Sequence, residues 1–526
     1  MPISGVELAA QRLNAPLPIW HAPVDAATWS ALASAVVRDE GRLLALWATG
    51  RSAVHAAYAL AGGALWAELP LDAGAAYPDL GATFACAQRM QRAAADLCGV
   101  RAIGATDERP WLDHGAWTAA QPLGDARRDA SARPPADAAA KAAGGTPDAP
   151  AHAGDYAFVR VEGDGVHEVA VGPVHAGTIE PGHFRFSVVG EKVLRLEERL
   201  GYTHKGIEHR FTELPPLQAH RLAGRVSGDS TVAFAWAYCM ALESALGVEL
   251  PARARWLRAL LLERERVANH LGDLGALGND AALGFGLAQF SRLREDWLRE
   301  SLPAFAHRLL MDAVVPGGVA ADIDAAQAQR MSAHGDAVAA EVRTLRAIYD
   351  EHAGVQDRFI GTGRASPELA RELGLTGLAG RASGQPQDLR CDHAWAPYDT
   401  LQPRRALSQQ GDVAARVAVR FDELLESLRL MRELLAALPA GAVRAAIEMP
   451  AAAAHGSARG AGWVEGWRGE VFVALELRDG AIQRCHCHDP SWQNWPVIEH
   501  AVIGNIVPDF PLINKSFNLG YSAQDL

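Results

Sequence analysis

At 526 residues the chain is worth about three or four domains of ordinary size, so it can bury large cores without disulfides or a structural metal. Apolar residues make up 49% and charged residues 21%, proportions that exclude a disordered or fibrous protein. A formal net charge of -12, from 50 basic against 62 acidic residues, excludes the basic footprint of a general nucleic-acid binder.

The first sixteen residues lack the basic and apolar regions of a secretory signal, which makes a cytoplasmic address the expectation. Trp29 to Val37 suits a helix, and Leu43 to Trp47 and Leu65 to Leu69 read as short apolar strands. The uncharged stretch Ser52 to Ala67 is too short for the roughly 20 apolar residues of a membrane span, and no other stretch comes closer. Thr83 to Cys98 predicts a second helix, stopped by Gly99. These elements define a small α/β domain over residues 1–120.

From Gln121 to Gly154 the only large apolar residue is Leu123, while Pro, Ala, Gly, Asp and Arg fill the rest. Such a segment cannot offset its ordering entropy by burial, so residues 121–154 are expected to be a flexible linker. The remainder, 155–526, is expected to be mainly α-helical. Pro251 opens a helix whose apolar residues Leu257, Leu260, Leu261, Val267, Ala268, Leu271 and Leu274 recur at three and four. Asp412 is a plausible N-cap for another, running through Val417, Phe421, Leu424, Leu428 and Leu435 toward Pro439. Helices this long and apolar point to a packed bundle. Near the end, Val471, Val473, Leu475 and Leu477 alternate up to Asp479-Gly480, a hairpin signal. The fold class is therefore α+β: an α/β domain, a linker, and a helical domain with small β-hairpins. The six cysteines are scattered, as reduced thiols would be.

Familiar nucleotide and hydrolase signatures are missing. There is no G-x-x-x-x-G-K-[ST] loop, no G-x-G-x-x-G opening a helix, no G-x-S-x-G and no H-E-x-x-H. Cys485-His486-Cys487-His488 is the densest group of potential metal ligands. On a strand, however, the two cysteines share one face and the two histidines the other, and a structural zinc site needs four ligands. Strand packing is the favoured reading. A second group, Gly172 to Phe184, sets His175, Glu180 and His183 among Gly and Pro, a composition that suits a backbone held close to something.

That second group carries a resemblance. GPVHAGTIEPGHFRF, then LGYTHKGIEHR (Leu200 to Arg210), GRVSGDSTVAFAWAYCMALE (Gly224 to Glu243) and LLLERERVANHLGDLGALGND (Leu260 to Asp280) resemble the large subunit of membrane-bound, energy-converting nickel-iron hydrogenases. Formate hydrogenlyase and the large subunit of complex I share the pattern. DRFIGTG, LGLTG, RASG, WVEGWRGE and VPDFPLINKSFN extend it to the carboxyl end. More weakly, YPDLGATFACAQRMQRAAADLCGV resembles the small, iron-sulfur-free subunit of complex I, so the chain looks like a fusion of the two.

What the resemblance implies is shaped by departures from it. In the hydrogenases four thiolates hold nickel. Their positions map here onto Ser227, Ser230, Gly520 and Ala523, so no metal is expected. The histidine after the first motif maps onto Phe234. Of the complex I quinone contacts, the tyrosine maps onto Gly228, and the closer loop histidine falls near Thr178 to Glu180. The ionisable residues left in the implied cavity are His175, Glu180, His183, Arg225 and Asp229. Glu180 stands where the hydrogenases carry a proton-transferring glutamate, and Asp229 could act similarly. Glu180, His175, Asp229 and Arg225 are therefore the candidate catalytic residues. Glu263, Arg264, Asn269, His270 and Asp273 match the family too, and are expected to be buried hydrogen-bonded pairs that fix the bundle.

The resemblance implies a subunit of an NADH:quinone oxidoreductase-like or hydrogenase-like complex that couples electron transfer to ion translocation. Such a chain would lie peripherally on the cytoplasmic membrane and hold no cofactor of its own. Its expected partners are an iron-sulfur small subunit, which would carry the cluster, and antiporter-like membrane subunits. The competing expectation is a catalytically silent scaffold.

Overall fold

Asp25 accepts the backbone N–H of Thr28 and starts α1 (Ala26–Arg38), whose Trp29, Leu32 and Val36 face a five-stranded sheet. The computed structural model describes residues 3–117, 119–124, 156–176, 179–449 and 456–526. The sheet comprises β1 (Gln11–Arg12), β2 (Ile19–Pro23), β3 (Arg42–Thr49), β4 (Ala53–Leu60) and β5 (Gly63–Pro70). Their spatial order is β1-β2-β5-β4-β3, and only β2 and β5 run parallel. The expected strands at Leu43 and Leu65 are thus present, joined by the alanine-rich β4, which is buried along its whole length. The second helix, α2 (Ala87–Cys98), begins four residues later than Thr83, because Thr83 to Cys86 form a turn. Gly99 ends it in the left-handed conformation, at φ 71°.

Of the Gln121 to Gly154 segment, residues 125–154 lie outside the described residues. Its first residues are tied back to α2, since the Leu123 N–H donates to the Leu97 carbonyl at 2.8 Å. Beyond it, β6 (Val166–Val171), β7 (His183–Val189) and β8 (Lys192–Arg199) form an antiparallel meander. A short helix, α3 (Ile207–Thr212), then leads into the bundle.

The bundle centres on α4 (Thr231–Leu246) and α5 (Ala252–Asp280). Every residue of α4 from Thr231 to Ser244 is buried, the signature of a helix apolar all round. Packed around α5 are α6 (Gly284–Phe305) and α8 (Val413–Ala436), while α7 (Ala325–Glu351) lies against α8. As the sequence predicts, Asp412 caps α8 by accepting the Ala415 N–H at 2.8 Å.

A second antiparallel sheet, β9 (Ser457–Glu465), β10 (Glu470–Arg478) and β11 (Ala481–His488), lies flat against α4. The approach is so close that a Cβ at Gly462 would stand 1.9 Å from the Ala237 carbonyl oxygen, and one at Gly460 2.0 Å from that of Ala241. Asp479 and Gly480, both at positive φ, turn β10 into β11. Two helices, α9 (Ser491–Ala501) and α10 (Phe510–Phe517), follow, and one further helical turn, Ser522–Asp525, lies beyond them.

The amino-terminal sheet shares its core with the bundle. Trp47 and Trp66 belong to one apolar cluster with α4 and the β9–β11 sheet. Polar bonds reinforce the seam: Thr49 Oγ1 donates to Glu476 at 2.6 Å, and Arg484 Nε to the Ala48 carbonyl at 2.8 Å.

Candidate functional site

The loop Arg225 to Ser230 delivers the chain to the amino end of α4, and Asp229 projects from it. Opposite stands Arg468, in the turn between β9 and β10. Its Nη1 lies 2.8 Å from Asp229 Oδ1, and Nη2 pairs with Oδ2. The same guanidinium donates from Nε to the Asn518 carbonyl at 2.6 Å and reaches Ser230 Oγ at 3.4 Å. Arg468 therefore stitches the Ser227–Ser230 loop to the carboxyl-terminal segment. The Asp229 carbonyl accepts from Trp467 Nε1 at 2.8 Å and Asn269 Nδ2 at 2.7 Å, while Ser227 Oγ donates to its carboxylate at 2.6 Å. Burial pushes the Asp229 carboxyl up, but the Arg468 guanidinium outweighs it and holds the group below the usual carboxylate range.

Gly520 and Ala523 lie side by side at the far end of this bridge. A Cβ on Gly520 would fall 2.8 Å from that of Ala523, and the Gly520 N–H is taken by Ser491 Oγ at 2.9 Å. The four positions thus present two hydroxyls, a hydrogen and a methyl; of these Ser230 reaches the Arg468 guanidinium directly and Ser227 meets it through Asp229.

The Gly172 to Phe184 loop closes on the same segment, with Gly177 and Thr178 outside the described residues. Glu180 is exposed and accepts the Ser522 N–H at 3.0 Å. The His175 ring faces Tyr521 at 6.2 Å and Phe184 at 5.5 Å, and its buried Nε2 has no hydrogen-bond partner. Burial lowers its pKa, as it does that of His183, whose Nδ1 lies 3.3 Å from the Gly172 carbonyl. Glu180 and His175 therefore reach residues 521–522, and Asp229 reaches Asn518 through Arg468. Arg225 does not join them: it is exposed and forms a bidentate pair with Asp312 at 2.7 and 2.9 Å.

Two site residues were not singled out from the sequence. Arg468 lies within WVEGWRGE, yet its partner is 239 residues away. Glu265 sits inside LLLERERV and points from α5 at the start of α4, accepting the N–H groups of Val232 at 2.6 Å and Ala233 at 3.2 Å. Burial raises its pKa to about 8, with Asp229 adding to the rise against those two N–H donors.

The other family-matching residues of α5 are bonded within the bundle, although His270 Nδ1 is buried without a partner. Glu263 is held by Arg390, Arg266, Ser427 and Tyr398; His270 meets Glu423 at 3.2 Å; Asp273 binds Arg420, Lys515 and Asn518. Arg264 bonds Ser301 and the Trp297 carbonyl. On β11 the alternation holds, with Cys485 and Cys487 in the apolar core. His486 instead meets Glu208 at 2.7 Å, and His488 meets Gln493 at 2.9 Å.

Comparison with known proteins agrees with this architecture. The family described as respiratory-chain NADH dehydrogenase, 49 Kd subunit, matches residues 282–525. Carbon monoxide-induced hydrogenase of Rhodospirillum rubrum is 30% identical over 67% of this chain and 97% of its own. Formate hydrogenlyase subunit 5 of Escherichia coli is 32% identical over 70% of this chain, which spans 65% of that relative's length. An NADH-quinone oxidoreductase subunit of Bacteroides thetaiotaomicron is 30% identical over 60% of each chain. A chain in the structure of the membrane-bound sulfane sulfur reductase, described as an archaeal respiratory membrane complex, shares the fold. It aligns with a TM-score of 0.64 at 23% identity, over 69% of this chain and 98% of that one. These relatives place the chain in the large-subunit class of oxidoreductase complexes. Within that class, the chain belongs to the family of large subunits shared by energy-converting hydrogenases and complex I. Among the described residues, no helix is long and apolar enough to cross a membrane.

Proposed function

We propose that this chain is the large subunit of a membrane-associated, complex I-like oxidoreductase in which an ion pair, Asp229–Arg468, stands in place of the nickel-iron centre. The observation that carries this reading is the reach of Arg468, which bonds Asp229 and the Asn518 carbonyl and so spans the two halves of the former ligand set. The residues do not fit the metal group: nickel in this family is held by soft thiolates, and two hydroxyls, a hydrogen and a methyl supply none.

Electrons would come from an iron-sulfur cluster in a small-subunit partner, and ion movement would belong to antiporter-like membrane subunits. The chain itself would lie peripherally on the membrane. Its own contribution is electrostatic. A change of charge beside Arg468 alters the balance that keeps Asp229 ionised, while His175 and Glu180 flank the Tyr521–Ser522 end of the same segment. Arg225, tied to Asp312, positions the Asp229 loop from outside.

The test is substitution in the intact complex. Asp229→Asn and Glu180→Gln should slow electron-transfer turnover and ion pumping at normal assembly. Unchanged turnover and pumping in both variants would make the chain a silent scaffold instead.

A further inference from the structure

Behind the Asp229 loop lies a cavity of ≈ 220 Å³ that the proposed function does not use. Its floor is α5, with Glu265, Ala268 and Asn269; its wall is α6, with Arg294 and Trp297. Gly228 and Asp229 line one side and Arg308, Leu309 and Leu310 the other. At ~30 Å³ per molecule the space holds several waters. Gly228 and Arg308 are both exposed, which puts the mouth between them.

The rim is a constrained structure. Ala306, Leu310 and Asp312 all adopt left-handed backbone conformations, at φ 60°, 61° and 59°, although none is glycine. Such residues persist only where surrounding contacts over-determine them, and they cluster at functional sites. Of the three only Leu310 lines the cavity; at Asp312 the contact is the pair with Arg225, which ties that residue to the Asp229 loop.

Two carboxylates face this one cavity, and they are treated oppositely. Asp229 has Arg468. Glu265 has no paired cation: Arg266 is spent on the Glu465 and Gly466 carbonyls, Arg264 on Ser301 and the Trp297 carbonyl, and Arg294 Nε on the Ala268 carbonyl, while Arg308 pairs with Glu295. Its bonds are the two N–H groups at the start of α4.

We propose that this cavity is a proton-exchange site in which Glu265 holds the proton, exchanging it with water that enters between Gly228 and Arg308, while Asp229 is the fixed negative charge beside it. Burial, uncompensated by any paired cation, accounts for a carboxyl that stays protonated up to about pH 8. Paired titratable groups with opposed environments mark the holder of a proton and its neighbouring charge. The step is a proton transfer alone: a hydronium or buffer acid gives its proton to a Glu265 carboxylate oxygen, and loss to the same water returns it. The proton-exchange site rests on the proposed function only for its purpose, and its test needs no turnover.

The experiment is infrared difference spectroscopy of the full-length chain, titrated from neutral to alkaline pH. The expected result is a buried-carboxylic-acid component with a midpoint near pH 8 in the wild-type-minus-Glu265→Gln difference, distinct from that of Glu198, the other carboxyl that burial raises to about 8. In Asp229→Asn the midpoint should move down, because a negative neighbour is removed; a carboxylate that merely caps α4 has no such band to move. Leu309→Trp, which narrows the mouth, should slow deuterium exchange into the band at least several-fold. A wild-type spectrum without the band, or a wild-type-minus-Glu265→Gln difference in which no component near pH 8 is lost, would overturn the proposal.

Discussion

Removing Asp229 should cost more stability than removing Arg468, although the two form one pair. Arg468 is 7% exposed, whereas the Asp229 side chain is 36% exposed. In Asp229→Ala a buried guanidinium is left with the Asn518 carbonyl and a distant Ser230 hydroxyl. In Arg468→Met the carboxylate keeps Ser227 Oγ at 2.6 Å and can hydrate. Breaking a fully buried pair costs roughly 3–5 kcal/mol. The partial exposure of Asp229 discounts this to about 2–4 kcal/mol for Asp229→Ala and about 1–3 kcal/mol for Arg468→Met. In the double variant no charge is stranded, so the two losses should fall short of additive by ~1–2 kcal/mol. Urea unfolding of the full chain, followed by tryptophan fluorescence, measures all three, and Trp467 is a local reporter because its indole donates to the Asp229 carbonyl. Additivity within about 0.5 kcal/mol would mean that the pair is uncoupled, and the electrostatic role given to Arg468 would fail.

Gly462→Ala should destabilise the chain by ~3 kcal/mol or more, since the new Cβ would stand 1.9 Å from a backbone oxygen that cannot rotate away. Gly228→Ala, whose Cβ would meet nothing within 4 Å, should be nearly silent in the same unfolding assay. Glu208 supplies a pH test: burial raises its pKa, but Arg484 and His486 prevail and hold it at about 2. A lowered carboxylate pKa contributes stability that is complete above the unfolded value of ~4.3 and is lost as pH falls toward the folded value. Glu208→Gln should therefore be less stable at neutral pH by on the order of 3 kcal/mol, and the gap should close on acidification; a gap independent of pH would contradict the assignment.

Much of the fold was legible from periodicity, because the leucines of α5 and α8 recur at helical spacing, although α5 is buried all round from Leu257 to Ala268 rather than on one face. β4 was not, since its alanines carry little β-preference and burial on both faces leaves no alternation to read. Thr83 to Cys86 continue an apolar, helix-compatible run, but only the local backbone decides that they turn. The site divided along the same line. Residues near in sequence, such as Ser227 and Asp229, were found together. The Arg468–Asp229, Glu208–His486 and Glu265–Val232 contacts join segments 239, 278 and 33 residues apart and depend on packing that no local pattern encodes. Arg225 shows the converse, for a matched motif position turns outward once Asp312 offers it a carboxylate.

The exclusion of nickel is the claim on which the proposed function turns, and elemental quantification of the intact, purified complex tests it most directly. The account predicts iron, carried by a partner's clusters, and nickel far below one atom per chain. One nickel per chain, lost when Ser227 and Ser230 are replaced by alanine, would contradict it.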